Sequence, residues 1–200
     1  MDNRELIKTI LKIEYPEKDF TDKEIEFLER FKIEKETERS ILKSKDFLGK
    51  DFMKVEDYYR DNEHVSKARD LLQKRCTTFH NRVKKDPNAF GGFAGFLEWW
   101  YSKVDENGRQ RCCYCGIDEI TCKQAFEKGI LSSQKFTGTL HIERKNPKKG
   151  YNKDNCEFAC ALCNNAKSDM ITEEEFKEFF VKPMQEYWEH IKEKLQRLEP

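Results

Sequence analysis

The stretch "HIERKNPKKGYNKDN", residues 141–155, combines residue types that can do chemistry. On an extended chain, side chains two apart share a face, so His141 and Glu143 stand on one side, about 7 Å apart. Histidine, with an ordinary pKa of about 6.5, can take a proton near neutral pH. Arg144, Lys145, Lys148, Lys149 and Lys153 are set against one acid, Glu143, so segment 141–153 carries a charge of +4 with histidine neutral. Such a segment attracts a phosphate backbone. Downstream, Asn164 and Asn165 end the run "CALCNN". A hard divalent cation such as Mg2+ or Mn2+ takes oxygen ligands: a carboxylate, an amide oxygen, water and a substrate phosphate. Glu143 and Asn164 can supply the protein's share.

Seven of the eight cysteines, all but Cys76, fall between residues 112 and 163. Clustered thiols in a chain expected to be cytosolic point to metal rather than to disulfides. Cys112-x-x-Cys115 and Cys160-x-x-Cys163, about 45 residues apart, can converge on one structural Zn2+. Gly116, after the second thiol, suits a tight knuckle turn. Cys113 competes with Cys112 as the ligand. Cys76, Cys122 and Cys156 have no close partner thiol and read as core residues. The bland alternative is that the four ligands are small buried hydrophobes.

These motifs resemble the HNH endonuclease family of the ββα-metal fold. That family joins a Cys-x-x-Cys knuckle, a strand ending in Asp/Glu-His, a loop holding an Asn, and a second Cys-x-x-Cys-Asn on a helix often trailed by Lys. The chain offers Cys112 and Cys115, Glu143 with Arg144, Pro147, Asn155, then Cys160, Cys163 and Asn164, followed by Lys167. The resemblance covers residues 109–170 and implies metal-dependent cleavage of nucleic-acid phosphodiesters, DNA ahead of RNA. It implies a catalytic Mg2+ or Mn2+ between Glu143 and Asn164, with Asn155 bracing the loop. It also makes plausible a nuclease subunit of a bacterial restriction or defence system. One departure matters: Arg144 stands where a histidine is usual, and arginine is no base near neutral pH. Some relatives share this Asp/Glu-Arg variant. The role of base then moves to His141, with Arg144 clamping a phosphate. Lys167 reads equally as a phosphate contact or a solvated lysine. Against the enzyme stands a catalytically impaired, zinc-stabilised module that binds nucleic acid or protein, with His141 as a core or zinc-adjacent residue.

The elements that must position these residues form a mainly α chain with a small α+β module. We expect a helical region over 1–103, a zinc-stapled ββα-metal core over 104–171 and C-terminal helices over 172–200. Thr21 with Glu24, and Thr172 with Glu175, are capping boxes that open helices. Ile25, Leu28 and Phe31, then Val55, Tyr58, Tyr59, Val65, Leu71 and Leu72, recur among many charges as on amphipathic helices. Phe90, Phe93, Phe96 and Trp99 stand every third residue beside Trp100. They are either base-stacking platforms or, the favoured reading, a core helix. Asn107-Gly108 signals a turn before a strand-like run, and "TGTLHIERKNP" reads as strand up to Pro147. Pro183 interrupts the C-terminal helices. Beyond it Met184, Tyr187, Trp188, Ile191, Leu195 and Leu198 make one apolar docking stripe. His64, His80 and His190 lie on helices as surface or core residues.

Thirty-eight basic and 38 acidic residues cancel, and mean hydropathy is −0.93. The chain as a whole is therefore no polycation, though a local basic site still sets a local field. No apolar run nears the roughly 18 residues that span a bilayer, and "MDNRELIKTI" lacks a signal-peptide core. We expect a cytoplasmic protein. Its charge-balanced helical flanks would dock a protein partner, an ATPase or sensor subunit, or a second copy.

Overall fold

The computed structural model describes residues 3–33, 62–83, 86, 88–105, 107–133 and 138–198. The helical expectation at Val55, Tyr58 and Tyr59, and the side chain of Phe31, lie outside them. The chain divides into two compact units, residues 1–101 and 102–200. The C-terminal helices belong to the second unit.

The first unit is helical: α1 (Asn3–Glu14), α2 (Asp22–Ile33), α3 (Glu63–Arg82), a 3-10 turn (Ala89–Gly91) and α4 (Gly92–Tyr101). Helix α1 buries Leu6, Ile7, Ile10 and Leu11, a stripe at helical spacing. The capping box before α2 is complete. Thr21 N–H donates to Glu24 Oε2 at 2.7 Å, and Glu24 N–H donates to Thr21 Oγ1 at 3.3 Å. The other Glu24 oxygen meets His64 Nε2 at 2.8 Å, tying α3 to α2. Helix α3 buries Val65, Ala68, Leu72 and Phe79. The aromatic run is the core of this unit, not a stacking platform. Phe96 is fully buried, with ring centroids 5.4 Å from Phe79, 5.3 Å from Phe90 and 5.6 Å from Trp100. Phe90 holds a positive φ of 63°, and its carbonyl occupies the place a Cβ on residue 95 would need, so only Gly95 fits there.

The second unit holds α5 (Glu119–Glu127), β1 (His141–Arg144), β2 (Cys156–Ala159), α6 (Ala161–Lys167), α7 (Glu173–Phe179) and α8 (Val181–Arg197). The Asn107-Gly108 turn is present, closed by the Asp105 carboxylate accepting from the Asn107 and Arg109 N–H groups at 2.9 Å each. Among the described residues the run after it forms isolated bridges, Val104 to Gln110 and Arg111 to Asp118, and the strand expected over "TGTLHIERKNP" spans His141–Arg144, Thr137 lying outside the described residues. Strands β1 and β2 pair antiparallel in the register His141–Ala159, Ile142–Phe158, Glu143–Glu157, Arg144–Cys156. The second capping box opens α7, and Pro183 falls in the first turn of α8, where its missing N–H costs no helical bond. Helix α8 packs on α5 and α6 through Trp188, Ile191 and Leu195. Tyr187 and Leu198, expected in the same stripe, are exposed. The fold is thus mainly helical, with one two-stranded antiparallel hairpin feeding a helix. No helix among the described residues is long and apolar enough to cross a membrane.

Candidate functional site

The knuckle turn is built by backbone bonds. Cys112 N–H donates to the Ile117 carbonyl at 2.8 Å, Gly116 N–H returns to Cys112 O at 2.9 Å, and Gly116 takes a positive φ of 77°. Cys113 N–H donates to Phe158 O at 2.8 Å, which fastens the knuckle to β2. The chain then leaves β2 directly into Cys160, the N-cap of α6, whose sulfur accepts from Cys163 N–H at 3.5 Å. These anchors bring Cys112, Cys115, Cys160 and Cys163 together, all four buried, with their sulfurs within 4.8 Å of one another. Cys113 is exposed and outside the cluster, so Cys112 takes the place in the set. Cys122 and Cys156 are buried but are not members of it, and burial pushes the Cys156 thiol up to about 11.

The cluster fits a tetrahedral thiolate metal. Zn–S arms of about 2.3 Å imply sulfur-to-sulfur edges of about 3.8 Å; Cys115 and Cys160 sulfurs are 3.8 Å apart. Hydrogen bonds from Cys115, Cys160 and Cys163 hold the Cys112 thiol far below its ordinary value. The same sharing with Cys112 pushes Cys115 and Cys163 far up. A bare cluster therefore resists carrying four negative charges, and a divalent ion is what would let all four ionise.

Helix α6 carries two residues to the face of β1 that holds His141 and Glu143. The Asn164 amide nitrogen lies 3.3 Å from His141 Nδ1. One turn on, Lys167 Nζ lies 2.8 Å from Glu143 Oε1 and donates to Arg144 O at 3.2 Å. Glu143 is 6% exposed and Lys167 0%. Burial pushes the Glu143 carboxyl up, and Lys167 pulls against that shift.

Two expectations change here. Lys167 is neither solvated nor placed for phosphate, because its ammonium is sealed inside and paired with Glu143. Glu143 and Asn164, the two oxygen donors expected around a hard divalent ion, belong to separate couples, Glu143 with Lys167 and Asn164 with His141. With one carboxylate oxygen already held by an ammonium, these residues do not fit the expected open oxygen pair.

Asn155 is 5% exposed and ties the loop shut. Its amide donates to the carbonyls of Asn146 and Gly150 at 3.0 Å each, and its oxygen accepts from Asn146 N–H at 3.0 Å. The loop presents Lys148, Lys149 and Lys153 to solvent, with Lys145 half-buried. Arg144 falls on the strand face opposite His141. Its guanidinium lies 5.0 Å from the centroid of the Tyr151 ring and 3.4 Å from Asp169. The cleft of about 290 Å³ beside the loop is lined by Lys145 and Lys148 but also by Asp169, Glu173 and Glu174, so it is not a purely cationic pocket. The couple Glu143–Lys167 is what sequence reasoning missed. Its only signal is spacing: positions 164 and 167 on a helix opposite 141 and 143 on a strand.

No family model and no curated protein matches this chain. A solved structure that is similar is the rare-cutting HNH restriction endonuclease PacI, with 23% identity over 58% of this chain and 80% of that one and a TM-score of 0.45. On their own geometry, the knuckle, hairpin, helix and four-thiol cluster of this chain have the ββα arrangement expected of an HNH core.

Proposed function

We propose that the chain hydrolyses nucleic-acid phosphodiester bonds, DNA ahead of RNA, with His141 as general base and a structural Zn2+ on the four thiols. The observation that carries this reading is the His141–Asn164 contact of 3.3 Å, held between β1, whose His141 pairs with Ala159 next to Cys160, and α6, which starts at Cys160 of the thiol cluster. A base needs a defined ring orientation, and a neighbour on Nδ1 sets which nitrogen carries the proton. For Nε2 to accept, Nδ1 must keep its hydrogen and donate to an oxygen. The Asn164 amide turned by 180° about its last bond supplies that oxygen at the same distance. Water then loses a proton to Nε2, its oxygen bonds to phosphorus, and the bond to the leaving sugar oxygen breaks, that oxygen taking a proton from solvent. The lysines of the loop 145–155 attract the backbone phosphates.

The competing reading, a zinc-stapled binding module, is favoured by one observation: Glu143 is neutralised by its own lysine. The two separate on supercoiled plasmid and on single-stranded RNA, each with and without Mg2+ or Mn2+. Conversion of either substrate by the zinc-loaded chain supports the nuclease. Binding without conversion under every condition supports the module.

A further inference from the structure

The pair Glu143–Lys167 is the most enclosed ionic contact among the described residues, with side-chain exposures of 8% and 0%. Lys167 Nζ spans from α6 to two consecutive residues of β1, the Glu143 carboxylate and the Arg144 carbonyl. Three residues earlier on the helix and two earlier on the strand, Asn164 meets His141. The two contacts close one clasp between β1 and α6. A buried carboxylate needs a counter-charge, and this one has it. A divalent ion bonding a carboxylate oxygen, at about 2.1 Å, would sit next to an ammonium with no exposed surface to retreat to.

We propose that Lys167 is the permanent cation of Glu143, and that Glu143 holds β1 to α6 through that lysine and is not a metal ligand. The inference rests on the reading of this site as a nuclease centre, but its test reads no cleavage. A chain that cuts nothing would overturn that reading and leave this one standing.

The test uses the zinc-loaded full chain. Mn2+ titration followed by water-proton relaxation should give Glu143→Gln and wild type the same isotherm within about twofold, whether both bind or neither does; a loss of about tenfold or more in Glu143→Gln would make it a ligand and overturn the proposal. Thermal unfolding supplies the second arm. Lys167→Met strands a buried carboxylate and should lower Tm by more than about 10 °C. The double variant Glu143→Leu with Lys167→Met removes both charges and should regain more than about half of that loss. A double variant no more stable than Lys167→Met alone would contradict the pairing.

Discussion

In the proposed role His141 accepts a proton at Nε2, which only its Nδ1–H tautomer allows, so the proposal turns on what Nδ1 meets. That neighbour is Asn164, 3.3 Å away. Replacing Asn164 by Asp keeps an oxygen for Nδ1–H but adds a negative charge, which stabilises imidazolium and raises the histidine pKa. We therefore expect Asn164→Asp to retain cleavage while the acid limb of the pH–rate profile moves to higher pH by about one unit. Asn164→Leu should lose at least about tenfold in rate without that move. An unshifted profile in Asn164→Asp would remove His141 from the role. The convergence of Cys112, Cys115, Cys160 and Cys163 was legible from spacing, because two Cys-x-x-Cys pairs leave few ways to share a metal. The bracing position of Asn155 came from the resemblance. The fate of Lys167 was not legible, because burial is a property of the packed hairpin and helix and leaves no mark on a lysine's neighbours in sequence. The surroundings of Arg144 were not legible for a related reason. Strand alternation puts it on the far face from His141, and its partners Tyr151 and Asp169 become neighbours only once the loop and α6 are folded.

At the scale of elements, caps decide where the helices begin, and at α6 the cap is itself part of the thiol cluster. Cys160 sulfur accepts from Cys163 N–H, so the helix that carries Asn164 and Lys167 starts from the residue that would hold the metal. Helix α5 starts on a simpler device. Asp118 accepts from Thr121 N–H at 2.9 Å and from the Thr121 hydroxyl at 3.0 Å. Burial works to raise the Asp118 carboxyl, and the Thr121 hydrogen bonds together with the charges of Arg111 and Arg109 outweigh it, leaving the carboxyl below its ordinary value. Asp118→Ala should cost about 1 kcal/mol, read as a lower urea midpoint. A depressed folded pKa means the contribution is fully present above the unfolded value of about 3.9 and is lost as pH falls through the folded one. The gap between Asp118→Ala and wild type should thus be constant near neutrality and narrow below about pH 4; a gap unchanged in acid would contradict the cap. Both capping boxes were readable from four residues each. The length of β1 was not: alternation in "TGTLHIERKNP" promises a longer strand, but β2 offers only four partners.

For the whole molecule, charge cancels between 38 bases and 38 acids, so a hold on a phosphate chain needs a local cluster such as the loop 145–155. The chain divides into two compact units after residue 101. The two units draw on different sources of stability. Residues 1–101 have an aromatic core of Phe79, Phe90, Phe96, Trp99 and Trp100, whereas 102–200 hold a buried cluster of four of their seven thiols. Removing the metal with a strong chelator should therefore expose the amides of β1, β2 and α6 to fast exchange while those of α1, α3 and α4 stay protected. Equal loss in both units, or loss in neither, would contradict a structural metal in the second. The central claim, that this zinc-stapled hairpin and helix cut phosphodiesters through His141, has a direct measurement. It is the rate of plasmid nicking by wild type and His141→Ala, with zinc content determined on the same samples. The account predicts equal zinc and a loss of at least about a hundredfold in rate. His141→Ala nicking at the wild-type rate with its zinc intact would contradict it.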